Sequence, residues 1–419
     1  MKLMPNSKPK IEKISCHKIV NSRGDWTIAT KVLLTDGSVG VQTIPDGASK
    51  GEHEAHTIPP EKAVQVVSSV LNDALQSEDP FDQKNIDNTL LELDGTPNKS
   101  HLGANSLLSV SLAVARSTAQ HYKIELFERI AQIYENKLAL NGELKFPTPV
   151  FNILNGGKHA NNGLSFQEFM IIPSPKVDYD RSVSMGIEIY HLLKKELQLL
   201  GKATGVGDEG GFAPSGFNPE TALEILRNSV SRKYKPGDDV FFGMDVASGS
   251  FYNGHSYVLP EIGATYNVSQ MNEYYGKLLK KFELLYIEDP FYENDIDGWK
   301  SFYTNFSGKV MVVGDDLVVT NPKLLSKYSK NSMLNAVIVK PNQIGTLTET
   351  LDFIKIAQSH KMGVIVSHRS GDTAEDTFIS DLAVGTSADF IKSGAPARGE
   401  RVAKYNRLLD IYDMHRFSK

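Results

Sequence analysis

Residues 284–290 read LLYIEDP, residues 310–316 read VMVVGDD, and residues 336–340 read AVIVK. Each is a short, continuous apolar run that ends in charged residues before a loop. Five more runs share the form: 150–155 (VFNILN), 166–173 (FQEFMIIP), 240–246 (VFFGMDV), 364–369 (VIVSHR) and 389–392 (DFIK). Helix-like stretches at 269–281, 347–359 and 376–384 separate most of the later ones. Apolar strands alternating with helices indicate a parallel sheet covered on both faces. Eight such units over roughly 270 residues fit the ~250-residue scale of a β/α barrel. The first two runs follow one another with no clear helix between them, so the barrel's start is irregular. A doubly wound open sheet is the structural alternative.

Upstream the rhythm differs. Residues 28–34 (IATKVLL) run into Asp36-Gly37 and then 39–43, a hairpin signal because Asp-Gly supplies the positive φ of a tight turn. Residues 47–51 (GASKG) form a small-residue loop. Apolar positions follow helical spacing over 61–75, behind Pro59-Pro60, and over the more apolar 105–120. The stretch 142–149 (GELKFPTP) marks the boundary. The expected class is α/β: a smaller N-terminal α+β domain over 1–141 and a TIM-like barrel over 142–419.

The bulk numbers exclude several functions. The chain has 419 residues, 40% hydrophobic and 23% charged, with a net charge of -5. That balance is ordinary for a globular protein and gives nucleic-acid binding no basic surface. No apolar run reaches the ~20 residues that span a bilayer. Cys16 is the only cysteine, so no intrachain disulfide forms, as suits a reducing compartment. The N-terminus lacks the apolar core of a secretory signal. A cytoplasmic location is expected.

In a β/α barrel, function gathers at the C-terminal ends of the strands. Here those ends offer Glu168, Asp245, Glu288-Asp289, Asp315-Asp316, Lys340, Ser367-His368-Arg369 and Lys392. A Gly-rich turn, 207–211, adds Asp208 and Glu209. One Asp at a strand end is ordinarily a cap or turn residue. Acids at successive ends repel one another unless a proton or a cation intervenes. Asp245, Glu288 and Asp315 are hard oxygen donors without a His or Cys among them, which selects Mg²⁺ or Mn²⁺ over zinc. Beside such a cation Lys340 is expected to have its pKa lowered and to act as a base. Ser367 to Ser370 and Lys392 form a cationic, hydroxylic end where barrels often bind phosphate. An acidic metal site beside an anion site implies a phosphorylated carboxylate as substrate.

The strings GGKHANN, SFQEFMIIP, GDEGGF, IEDPF, VGDDL, KPNQIGT, VSHRSG and IKSGAPAR, with LDGTPNKSHLGANS and GAS-x-GEHEA before them, resemble the enolase family over nearly the whole chain. The resemblance implies a hydro-lyase that interconverts 2-phosphoglycerate and phosphoenolpyruvate with two Mg²⁺ per site. It implies Lys340 as the base at C2 and Glu209, kept protonated among other acids, as the group that helps the C3 hydroxyl leave. Glu168 works beside Glu209, and Gln167 lies at the substrate. Asp245, Glu288 and Asp315 hold one magnesium, and Ser49 serves a second. Arg369, Ser370 and His159 contact the phosphate, Lys392 contacts the carboxylate, and Ser367 and His368 line the substrate site. A homodimer is also implied. However, pairs that bridge it in many members are changed here, with His17 opposite Glu400 and Ala29 with Asp410. Asp25-Trp26 after SRG, Asp46 and Lys50 in the loop around Ser49, and one extra residue in 372–376 depart from the family pattern. They keep two other readings open: a paralog acting on a related phospho- or phosphono-carboxylate, and a non-catalytic binding protein displayed or secreted without a signal peptide.

Overall fold

The computed structural model describes residues 8–47, 51–135 and 144–417. The expected boundary at residue 142 and the loop residues Ser49 and Lys50 lie outside these. The N-terminal part is an antiparallel sheet of β1 (Ile11–Val20), β2 (Trp26–Leu34) and β3 (Val39–Thr43). Gly37 adopts φ +90° in the hairpin turn, as the Asp-Gly pair predicts. β1 escapes sequence reading because charged and apolar residues do not alternate cleanly along it. Helices pack on the sheet, chiefly the buried Ala104–Tyr122, and Pro60–Leu75 contains a π segment at Val67–Leu71.

All eight apolar runs become barrel strands. They are β4 (Thr148–Asn155), β5 (Glu168–Pro173), β6 (Val240–Asp245), β9 (Leu284–Glu288), β10 (Met311–Gly314), β11 (Ala336–Val339), β12 (Gly363–Ser367) and β13 (Phe390–Lys392). A small hairpin, β7 (Tyr257–Leu259) and β8 (Ala264–Tyr266), lies outside the barrel. The sheet closes in the order β10-β11-β12-β13-β4-β5-β6-β9, which rules out the open-sheet alternative. Val150, Met170, Ile172, Tyr286, Val313, Ala336, Ile338, Ile365 and Phe390 fill its interior.

One expectation is corrected. β5 runs antiparallel to both β4 and β6, so the sheet is not all parallel. The link from β4 to β5, residues 156–167, holds only a 3₁₀ turn, Gly157–His159, and no α-helix of the kind that usually carries a parallel crossover. Glu168 therefore stands at the start of its strand rather than its C-terminal end. The reversed strand still delivers it to the functional rim. Glu168 pairs with Asp245, and Asp245 with Glu288, at one level of the ladder. No helix among the described residues is long and apolar enough to cross a membrane.

Candidate active site

A polar cavity of about 220 Å³ opens at this rim. His159, Gln167, Glu168, Glu209, Asp245, Asp315, Lys340, Ser367, His368, Arg369, Ser370 and Lys392 all line it. Glu288 sits at the end of β9, fully buried.

The carboxylates divide into three groups. Lys392 Nζ is 2.8 Å from Glu288 Oε2, 3.1 Å from Asp245 Oδ2 and 3.2 Å from Glu168 Oε2. Burial alone would lower the lysine's proton affinity, but Asp245, Glu168 and Glu288 raise it well above its ordinary value. Burial, then Asp245, pushes Glu288 up to about 8. The Tyr286 hydroxyl donates to Glu288 Oε2 from inside the barrel, while Glu288 Oε1 is buried without a hydrogen-bond partner. The second group centres on Asp315, which accepts from Lys340 Nζ and, at 2.9 Å, from Gln343 Nε2. Asp289, at φ +42°, accepts the amides of Asp315 and Asp316 at 2.9 Å each and so fixes the turn after β10.

Asp245, Glu288 and Asp315 are not brought into one tight cluster. The compact groups among the described residues are Asp289-Asp315-Asp316 and His159-Glu168-Glu209. The three expected ligands nonetheless suit a hard divalent ion, since all are buried carboxylates and Glu288 Oε1 is orphaned. Burial lowers the proton affinity of Lys340, but the touching Asp315 carboxylate outweighs this and raises it above the ordinary lysine value.

Glu168 and Glu209 form the third group. His159 Nε2 lies 3.4 Å from Glu209 Oε1 and 3.7 Å from Glu168 Oε1. His368 Nε2 lies 3.4 Å from Glu209 Oε1, and Asn152 Nδ2 donates to Glu209 Oε2 at 2.9 Å. Burial and the neighbouring Glu209 raise Glu168 well above the carboxylate range. Burial also raises Glu209, but His159, the hydrogen bond from His368 and the Arg401 guanidinium more than reverse this and hold it well below that range. Burial drives His368 itself down to about 3, so at neutral pH it supports Glu209 as an N–H donor and not as a cation. The two carboxyls are thus pushed in opposite directions, Glu168 toward its protonated form and Glu209 toward its ionised one. Two buried carboxyls this close carry one proton between them.

Arg369 is buried at the opposite end of the chemistry-bearing strands from Glu168 in sequence, and Glu54 of the N-terminal part faces it at 3.1 and 3.3 Å. A Cβ at Gly47 would collide with the Arg369 guanidinium, so a side chain there would displace that guanidinium from its present place. Asp46, one of the departures, exchanges backbone hydrogen bonds with Gly371 at 2.7 and 2.8 Å. The altered loop is thereby tied directly to the turn that carries Arg369 and Ser370.

Sequence reading missed Asn152, Glu54 and Gln343. Asn152 sits inside an apolar run, and nothing in one sequence marks it as facing the cavity. Glu54 and Gln343 become visible only once the two parts of the chain are docked.

Residues 143–415 match the family described as "Enolase, C-terminal TIM barrel domain", and residues 11–130 match "Enolase, N-terminal domain". The chain is 42% identical over 416 residues to "Enolase" of Lactobacillus helveticus (strain DPC 4571), covering 96% of this chain and 95% of that relative. Two family matches spanning most of the chain, an end-to-end relative and a closed barrel with acids, lysines and an arginine at its rim agree: the chain belongs to the enolase family, the hydro-lyases of the phosphopyruvate hydratase class.

Proposed function

We propose that the protein catalyses the reversible, Mg²⁺-dependent dehydration of 2-phosphoglycerate to phosphoenolpyruvate. The observation that carries the reading is a division of labour in one cavity. Lys340 and the Glu168–Glu209 pair line it as separate proton-handling groups, with Arg369 and Ser370 beside them. Lys340 takes the C2 proton as base. The single proton of the Glu168–Glu209 pair passes to the departing C3 hydroxyl through Glu209, which Asn152 and His368 orient. Arg369 and Ser370, with His159, hold the phosphate, and a planar guanidinium suits that anion. Lys392 steadies the substrate carboxylate, and Gln167, 3.4 Å from Asp245 through its amide nitrogen, borders the same end. Ser367 completes the wall. Magnesium held by Asp245, Glu288 and Asp315, with Ser49 serving a second ion, would supply positive charge against the extra negative charge that builds on the substrate carboxylate. A homodimer in the cytoplasm is the setting this reading expects.

Formation of phosphoenolpyruvate, followed by its ultraviolet absorbance, tests the reading. Wild type with Mg²⁺ should turn over, a chelator should abolish turnover, and Lys340→Ala should lose at least about 100-fold. A folded wild type that binds 2-phosphoglycerate with Mg²⁺ yet forms no product would overturn it.

A further inference from the structure

Arg401 has no assigned part in the site, yet it is fully buried behind it. It rises from the C-terminal helix Gly399–Phe417 and contacts two separate segments, the turn 368–372 and the Gly-rich turn at Asp208. Nη1 donates to His368 Nδ1 and, at 2.7 Å, to the Arg369 carbonyl. Nη2 donates to the Ser370 carbonyl at 2.6 Å and the Asp208 carbonyl at 3.3 Å. Asp372 balances its charge, 3.8 Å from Arg401 Nη1 and 2.7 Å from Lys404 Nζ.

A guanidinium has donors only and keeps its charge at any pH relevant to a protein. His368 Nδ1 must therefore present its lone pair. The single N–H of the neutral ring is left on Nε2, the atom facing Glu209 Oε1 at 3.4 Å. The charged groups acting on His368 are Glu209 from the Gly-rich turn, Arg401 from the C-terminal helix and Lys392 from β13. Both cations oppose its protonation and only Glu209 favours it.

We propose that Arg401 is a positioning residue for the acid half of the reaction. It fixes His368 in the Nε2–H form that donates to Glu209, and it ties the Glu209 turn to the Arg369–Ser370 turn through their carbonyls. The same guanidinium thus sets where the leaving-hydroxyl proton resides and where the phosphate contacts sit relative to it. Lys340, just past the end of β11, has no direct hydrogen bond to Arg401, His368 or Glu209 among those described and meets Arg369 only through Asp315, Gln343 and Glu54, so the base half is the less dependent on Arg401.

The kinetic part rests on the dehydration reading, so the test has two arms. In the first, nitrogen-15 NMR of histidine-labelled wild type, with His368 assigned by its loss in His368→Gln, reads the tautomer without any activity. The expected signals are an unprotonated Nδ1 and a protonated Nε2 that do not titrate between pH 5 and 8. A protonated Nδ1, or titration near neutrality, overturns the proposal. In the second, Arg401→Ala and Arg401→Lys are compared for dehydration and for exchange of the C2 hydrogen with solvent. Dehydration should fall by about 10-fold or more while exchange changes by less than about 3-fold. His368 should become easier to protonate, so the acid limb of the dehydration profile should move to higher pH than in wild type, and added guanidinium should partly reverse both effects in Arg401→Ala. Equal loss in both reactions with an unchanged pH profile would show a merely structural role and overturn it. If Arg401→Ala fails to fold, Arg401→Lys and the wild-type NMR decide. If wild type makes no phosphoenolpyruvate, the dehydration reading falls while the tautomer result still stands.

Discussion

At the scale of single residues, the site works by giving each titratable group a different neighbour. Asn152 illustrates the point. It is fully buried, and its amide holds one oxygen of Glu209 while His368 holds the other. Replacing it with leucine removes a donor to a buried carboxylate, which costs about 1–3 kcal/mol at that group. Asn152→Leu should slow dehydration about 10- to 100-fold, measured as phosphoenolpyruvate formation at saturating substrate, with little change in C2 exchange. Unchanged dehydration would show that Asn152 does not orient Glu209. The charged members of the site were legible in the sequence because lysines and acids at the ends of apolar runs have no bland explanation in such numbers. Their protonation was not. Whether Glu168 or Glu209 holds the proton depends on His159, His368 and Asn152, which converge from separate loops and strands.

At the scale of elements, continuous apolar runs identified every barrel strand, because strands buried on both faces cannot alternate. Direction was the part that periodicity does not encode. β5 looks like its neighbours in composition, and only the helix-free connection from β4 betrays that it runs backward. The strand ends are in turn held by backbone contacts that side-chain patterns do not reveal. Asp289 accepts both amides at the end of β10 and so aims Asp315. Removing such support around a metal ligand typically costs 10–100-fold in affinity. Asp289→Ala should therefore weaken Mg²⁺ binding by about 10- to 100-fold in calorimetry. Wild-type affinity in that variant would contradict the assignment of Asp315 as a ligand aimed by this turn.

At the scale of the whole molecule, the N-terminal part contributes to the site and docks through buried polar contacts. Glu54 meets Arg369, Asp46 pairs with Gly371, and Asp87 accepts from the Thr348 amide at 2.8 Å and its hydroxyl at 2.6 Å. These cross-contacts join residues hundreds of positions apart and leave no local signal in the sequence. Burial raises Asp87 from 3.8 to about 6. Because the folded value is the higher one, its contribution to stability is complete below about 3.8 and is lost as pH rises through about 6. That loss is about 3 kcal/mol. Asp87→Asn should flatten the wild-type decline in stability between pH 4 and 7, measured by denaturant unfolding, and an identical pH slope in both proteins would refute it. The account's central claim is that Lys340 and the Glu168–Glu209 pair perform separate proton transfers on one substrate. Proton NMR of 2-phosphoglycerate incubated in D₂O with Mg²⁺ and the Glu209→Gln or Lys340→Ala variant tests it most directly. Glu209→Gln should exchange the C2 hydrogen for deuterium without forming phosphoenolpyruvate, and Lys340→Ala should do neither. Exchange that survives in Lys340→Ala would contradict the claim.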